Sequence, residues 1–138
     1  AEGCLVRNCF LYGNATYGLQ AQENSYIENC TVNAGTNGVY WAAAGGTLKN
    51  TVSLGPGAGF LSFSSRYPAT AITNATNDGT AYVTSGTAIT NVSLDDDVDF
   101  VEPSANPPNY QPTSTGKLAN TATDLSEFFP DDITGNPR

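Results

Sequence analysis

The chain repeats one short pattern five times, and this repeat restricts its fold more than any other feature. The copies are "LVRNCFLY" (residues 5–12), "YIENCTVN" (26–33), "TLKNTVSL" (47–54), "AITNATND" (71–78) and "AITNVSLD" (88–95). Aligned on their asparagines, they are separated by 21, 21, 24 and 17 residues. A repeat of about 20 residues is typical of a solenoid, in which each coil packs on its neighbours.

The alignment produces three columns of residues. The shared asparagines are Asn8, Asn29, Asn50, Asn74 and Asn91. Two positions earlier stand aliphatic residues, namely Val6, Ile27, Leu48, Ile72 and Ile89. One position later stand small residues, namely Cys9, Cys30, Thr51, Ala75 and Val92. An antiparallel sandwich with asparagine-rich turns would not produce such columns. We therefore predict an all-β parallel solenoid of about five coils over residues 1–94, with three short strands in each coil.

The asparagines have a physical role in such a stack. A sharp bend between two strands often needs a left-handed backbone conformation, which Asn tolerates better than most residues. A carboxamide can also donate to and accept from the same group one coil away. We predict that the five asparagines form a ladder along the axis.

Each repeat has a second strand that begins with Gly: "GLQA" (18–21), "GVYW" (38–41) and "GFLS" (59–62), with "AYVT" (81–84) as the expected fourth copy. We assign these glycines to a bend. Alternation across the strand predicts that Trp41 lies inside, between the small residues Ala21 and Ser62. The outward side chains would form an amide-and-aromatic strip suited to carbohydrate: Gln20, Gln22 and Tyr40.

The aliphatic-x-Asn-small units and the Gly-led strands resemble the right-handed parallel β-helix superfamily of pectate lyases, polygalacturonases and phage tailspikes. The resemblance covers residues 3–94 and implies a right-handed β-helix. It implies little about activity, because one fold hosts many functions. We interpret the chain as a non-enzymatic structural module of the extracellular space, cell surface or virion surface, such as a fibre, tailspike or adhesin. The alternative is a C-terminal fragment of a polysaccharide lyase or glycoside hydrolase whose catalytic coils lie outside this chain.

The composition changes after Leu94. Residues 95–138 contain most of the prolines and acids and no copy of the repeat. Proline disfavours further coils, because it cannot donate to a strand ladder. We predict an extended tail, anchored by residues such as Phe100 and Leu118, that packs on or caps the solenoid. A disordered tail is the alternative.

The charged residues give little indication of catalysis. The chain has no His, which excludes a Ser-His triad. A lyase resembling this fold would need a basic proton abstractor, and Lys49 is a candidate. However, Arg7, Glu28 and Lys49 share one column, so a surface charge ladder is the preferred interpretation. We predict no catalytic residues.

The sequence "LDDDVD" offers a candidate calcium site. Asp95, Asp97 and Asp99 occupy alternate positions, and carboxylate oxygens at such positions can meet one Ca²⁺ ion. An acidic turn without metal is the preferred interpretation, and catalysis by these acids is the remaining alternative. No other cofactor is predicted.

Three cysteines and four Asn-x-Ser/Thr sequons remain. Cys9 and Cys30 share a column on adjacent coils, so they are either stacked thiols or a disulfide, and Cys4 is left over. Among the sequons, only Asn14 lies outside the predicted ladder. It is therefore the candidate for N-glycosylation.

Charge and hydropathy limit the partners. A net charge of -8 disfavours nucleic acid, and no apolar run approaches the ~20 residues that span a membrane. The first coil would expose strand edges and the core residues Val6, Cys9 and Leu11, and bare edges of this kind aggregate. We expect that copies of this chain, or the rest of a longer chain, cover that end. Polysaccharide is the further candidate partner.

Overall fold

A computed structural model describes residues 3–54, 58–62, 66–76, 83–84, 87–88, 92–94, 99–102 and 109–118. The first three coils contain β1 (Leu5–Arg7), β2 (Phe10–Asn14), β3 (Tyr17–Ala21), β4 (Tyr26–Glu28), β5 (Thr31–Ala34), β6 (Asn37–Trp41), β7 (Thr47–Lys49), β8 (Val52–Leu54) and β9 (Ala58–Ser62). The later strands are β10 (Thr70–Ile72), β11 (Ala75–Thr76), β12 (Val83–Thr84), β13 (Thr87–Ala88), β14 (Val92–Ser93), β15 (Phe100–Glu102) and β16 (Asn109–Pro112).

The coils stack into three parallel sheets. The first sheet has the order β1-β4-β7-β10, the second β2-β5-β8-β11-β14 and the third β3-β6-β9. Within the first three coils each strand pairs with the one that follows three strands later in the chain, which is the connectivity of a solenoid. The described strands make about three turns. The predicted all-β parallel solenoid is confirmed, as is the alignment of Val6, Ile27 and Leu48.

The core lies inside the coils. Its buried members are Ala21, Ile27, Cys30, Val32, Val39, Trp41, Leu48 and Phe60. Trp41 is fully buried in register with Ala21 and Ser62, as predicted, and its indole nitrogen donates to the Gly45 carbonyl at 3.2 Å. Burying a large aliphatic or aromatic side chain of this kind contributes about 1.5–3 kcal/mol.

The glycines at the second position of the third-sheet strands provide space rather than a bend. None of Gly18, Gly38 and Gly59 has a positive φ. A Cβ at Gly38 would lie 1.7 Å from the Ser53 Oγ, and one at Gly59 would lie 1.9 Å from the Thr76 Oγ1. Ser53 accepts a hydrogen bond from the Val39 N–H at 3.0 Å and donates to the Gly59 carbonyl. The second and third sheets approach so closely here that only glycine fits.

The fourth coil is displaced by one residue from the predicted alignment. Ile72 pairs with Lys49, and Ala71 pairs with Leu48. Ile72 is therefore an outward residue, 41% exposed, and Ala71 packs against the core. The step from Lys49 to Ile72 spans 23 residues, against 21 from Glu28 to Lys49. The two added residues lie between β9 and β10, where no motif in the sequence indicated an insertion.

The prediction that "AYVT" (81–84) adds a fourth strand to the third sheet is also wrong. Val83–Thr84 pairs antiparallel with Thr87–Ala88 in a separate two-stranded ribbon. The partner strand lies only a few residues away in the chain, so the two strands form a local antiparallel pair instead of extending the parallel sheet.

The start of the tail forms a second antiparallel ribbon, in which β15 pairs with β16. Phe100 is 2% exposed and clusters with Leu54, Ala75 and Leu94, against which Val52 and Leu118 also pack. In the second sheet, Ser53 and Thr76 face the core, so the alternate residues Val52, Leu54 and Ala75 face outward. This second cluster therefore lies on the outer face of the solenoid. The domain boundary after Leu94 stays a prediction.

Candidate functional site

Three of the five predicted ladder asparagines are joined by their side chains. Asn29 donates to the Asn8 carboxamide oxygen at 3.3 Å, and Asn50 donates to that of Asn29 at 3.2 Å. All three have left-handed backbones, with φ of 50°, 52° and 46° for Asn8, Asn29 and Asn50. The sequence therefore predicted both roles of these residues.

Asn74 is not a member of this ladder, which corrects the prediction. Thr73 occupies the left-handed position, with φ 55°. Asn74 is 2% exposed instead, and it accepts from the Thr51 N–H at 2.9 Å and donates to the Leu48 carbonyl at 3.1 Å. The displacement of the fourth coil by one residue is the cause. Asn91 lies outside the described residues.

The small-residue column has a hydrogen-bonding role that the sequence analysis missed. Cys9, Cys30 and Thr51 each donate to the carbonyl two residues earlier, at 3.0, 3.2 and 3.0 Å. For Cys30 and Thr51 this is a second bond to the carbonyl, because the Glu28 and Lys49 carbonyls also accept from the Asn8 and Asn29 N–H groups of the preceding coil at 3.1 Å. Ala75, which was predicted for this column, pairs with Val52 instead.

The three cysteines are free thiols in the structure. Cys4 is exposed and Cys30 is buried, while Cys9 is intermediate. Burial raises the pKa of the Cys30 thiol from 9.0 to about 11, because a thiolate is poorly solvated there.

The predicted charge column is present. Arg7, Glu28 and Lys49 are in register across β1, β4 and β7. The Arg7 Nε lies 2.7 Å from a Glu28 carboxylate oxygen, and the two side chains are 35% and 9% exposed. An ion pair of this kind holds two neighbouring coils together, and it engages the Glu28 carboxylate.

The structure describes only one of the three predicted calcium ligands, Asp99. Asp95 and Asp97 lie outside the described residues. Asp99 is fully buried, and its carboxylate accepts from the Lys117 N–H at 2.6 Å and lies 3.8 Å from the Lys117 ammonium. Within the described part of the chain, no group of three His, Cys, Asp or Glu side chains is placed to hold a metal ion.

The outer face of the third sheet carries the predicted carbohydrate strip and one residue that the sequence analysis missed. Gln20 is exposed, and it pairs in register with the half-buried Tyr40. Tyr17, which pairs with Asn37, stacks on Tyr40 with ring centroids 4.6 Å apart and planes 17° apart. Aligning "YGLQ" with "NGVY" would have placed Tyr17 on this strand, whereas a strand starting at Gly18 excluded it.

The two remaining candidates lie at the ends of strands. Gln22 is exposed just after β3, where its backbone N–H donates to the Ser25 Oγ at 3.1 Å. Asn14 is exposed at the end of β2, and its side chain donates to the Gly18 carbonyl at 3.3 Å. Neither side chain contributes to the stacked tyrosine pair.

The fold and these surfaces define the class of the molecule: a parallel β-solenoid of about three turns, with asparagine side chains bonded between coils. Comparison with family models, with curated proteins and with solved structures gives no match. In the described residues, no helix has the length and hydropathy needed to cross a bilayer.

Proposed function

We propose that this chain is a structural module: a right-handed parallel β-helix of about five coils, similar to the pectate lyase and tailspike superfamily, that serves at an extracellular, cell or virion surface. The observation that carries the proposal is the ladder from Asn8 through Asn29 to Asn50. It adds side-chain bonds along the axis to the backbone bonds that already join the coils. Such a stack suits a stiff scaffold.

A second observation supports a scaffold over an enzyme. Two acidic residues in the described part of the chain form ion pairs, Glu28 with Arg7 and Asp99 with Lys117. These contacts give both carboxylates a structural role. Both pairs link segments that are distant in sequence. In the proposed role one pair joins two neighbouring coils and the other joins two segments of the tail, instead of moving protons.

The proposed partner covers the first coil. Val6, Cys9, Leu11 and Leu19 pack against the core but are only partly buried. The cover is a second copy of this chain or further coils of a longer chain, because exposed strand edges and apolar surface favour association.

Two measurements test the proposal. Light scattering at micromolar concentration should give a mass above the 14.4 kDa of the chain. Incubation with neutral and acidic polysaccharides should release no new reducing ends. A stable particle of chain mass would contradict the proposed association, and release of reducing ends would favour a lyase or hydrolase fragment.

A further inference from the structure

The outer face of β3 and β6 presents two phenols and two carboxamides in a small area. We call Tyr17, Gln20, Asn37 and Tyr40 the tyrosine–amide surface. In the register of the sheet, Tyr17 lies opposite Asn37 and Gln20 lies opposite Tyr40. Each strand therefore contributes one ring and one amide, with the rings on one diagonal and the amides on the other.

The stacked rings hold each other in place. The Tyr17 and Tyr40 centroids are 4.6 Å apart, which is within the range of offset-stacked aromatic pairs. Tyr17 remains 37% exposed even with this contact. A ring that is ordered before binding loses less conformational entropy when a ligand arrives. The tyrosine pair is therefore a pre-ordered apolar platform at the surface.

The chemistry of the four side chains selects a class of ligand. Aromatic rings pack against flat apolar groups, while phenols and carboxamides supply both donors and acceptors at the edge. A pyranose ring needs this combination, since it has apolar C–H faces and a rim of hydroxyl groups. None of the four side chains is charged, and the whole chain carries -8. The surface thus lacks the cations that would attract an acidic sugar.

From this arrangement we propose that the tyrosine–amide surface binds a neutral glycan, with a sugar ring packed on the tyrosine pair and its hydroxyl groups bonded to Gln20 and Asn37. The proposal rests on the surface-module function above and names the partner of that module. It adds Tyr17 and Asn37 to the strip expected from the sequence, and it does not need Gln22.

The test is saturation-transfer NMR of the intact chain with three neutral probes, cellohexaose, maltohexaose and xylohexaose, and with oligogalacturonate as the acidic probe. At least one neutral probe should give signal. Tyr17→Ala and Tyr40→Ala should each weaken its affinity about five- to tenfold. Tyr12→Ala is the matched control, because Tyr12 is exposed and stacked on Phe10 but lies on the second sheet. Its affinity should stay within twofold of the parent.

Several results would overturn the proposal. They are no signal from any neutral probe, stronger binding of oligogalacturonate, or an equal loss in Tyr12→Ala. Tyr40 is half-buried, so near-UV circular dichroism must confirm that its variant is folded. If Tyr40→Ala does not fold, Gln20→Ala replaces it, and unchanged affinity in both Gln20→Ala and Tyr17→Ala contradicts the site. The light-scattering result is independent of these variants, so failure of the glycan site leaves the scaffold role intact.

Discussion

The side chain of Asn50 donates a hydrogen bond of 3.2 Å to the side chain of Asn29, which lies one coil earlier in the stack. Asn29 uses its own amide group to donate to Asn8. Its carboxamide is thus engaged on both sides. Bonds of this type reinforce one another when they form a chain.

Asn29 should therefore be the most sensitive ladder position. We expect Asn29→Ala to lower the free energy of unfolding by about 2–4 kcal/mol, because two amides lose a partner and alanine is strained in the left-handed region. Asn29→Gly removes only the bonds, since glycine adopts that conformation freely, and should cost less. Asn24→Ala is the control: Asn24 is exposed with φ 56°, so it should lose only about 1 kcal/mol. Urea titration measures all three. Equal losses for Asn29→Ala and Asn24→Ala would contradict a stabilising ladder.

The fourth coil offers a substitution that should stabilise the protein. Thr73 has φ 55°, a conformation that a β-branched residue adopts at a cost. Thr73→Asn places a more tolerant residue there, next to Asn50 in the stack, and should raise the free energy of unfolding by about 0.5–1.5 kcal/mol. Asn74→Ala should instead lower it by about 1–3 kcal/mol, because buried backbone groups of Thr51 and Leu48 lose their partner. A destabilised Thr73→Asn variant would argue against this register.

Gly38 tests the close approach of the second and third sheets. Gly38→Ala should destabilise the protein by about 3 kcal/mol or more, because its Cβ would overlap Ser53 and the Gly59 carbonyl. Gly13→Ala is the control, since a Cβ at Gly13 meets nothing within 4 Å although φ is +76°. It should show only the backbone cost of about 1–2 kcal/mol. Thermal unfolding of the pair decides the matter, and a milder effect at Gly38 would show that the sheets can separate.

Cys30 should make stability depend on alkaline pH. Its pKa is raised in the folded state to about 11, above the ordinary 9.0, because the thiol is buried. The contribution is complete below pH 9 and is lost as the pH rises towards 11, by about 2–3 kcal/mol in total. The comparison is with Cys30→Ala, whose stability should fall less steeply. Parallel pH profiles for the two proteins would contradict a protonated buried thiol.

The outer cluster should contribute measurably to stability. Phe100→Ala removes a side chain that is 2% exposed and should cost about 3–5 kcal/mol. Val101→Ala, at a position 50% exposed in the same strand, should cost under about 0.5 kcal/mol. Hydrogen exchange at Leu54 and Ala75 reports the local effect. Unchanged protection there in Phe100→Ala would show that the tail ribbon contributes little to the outer face.

The coil architecture was predictable because a parallel stack repeats its constraints at every coil. Residues such as Val6, Ile27 and Leu48 occupy one column and must all be apolar. The asparagine bend could be recognised for the same reason in three coils. Once two residues were inserted before β10, the bend fell on Thr73. The sequence pattern had indicated the adjacent Asn74, because Asn tolerates the left-handed region better than Thr.

The remaining features depend on contacts between different columns, which no single repeat reveals. Residue 38 must be Gly because Ser53 of another sheet lies so close to it. The buried Asp99 carboxylate accepts a hydrogen bond from Lys117, 18 residues later in the chain. Tyr17 became part of the candidate glycan surface only through a diagonal contact with Tyr40. Alternation counted back from the outward Gln20 would place Tyr17 on the inner face with Leu19 and Ala21, so it could not identify this contact.

The register of the coils also determines how the molecule responds to mechanical force. Residues 21 apart are neighbours along the axis, so a whole coil advances the stack by one strand spacing of about 4.8 Å. The same residues span about 70 Å when drawn straight. Tension along the axis acts directly on the hydrogen bonds between coils, because those bonds run parallel to it. A coil that detaches therefore extends from about 4.8 Å to about 70 Å, which is more than tenfold. It dissipates load while the remaining coils stay folded.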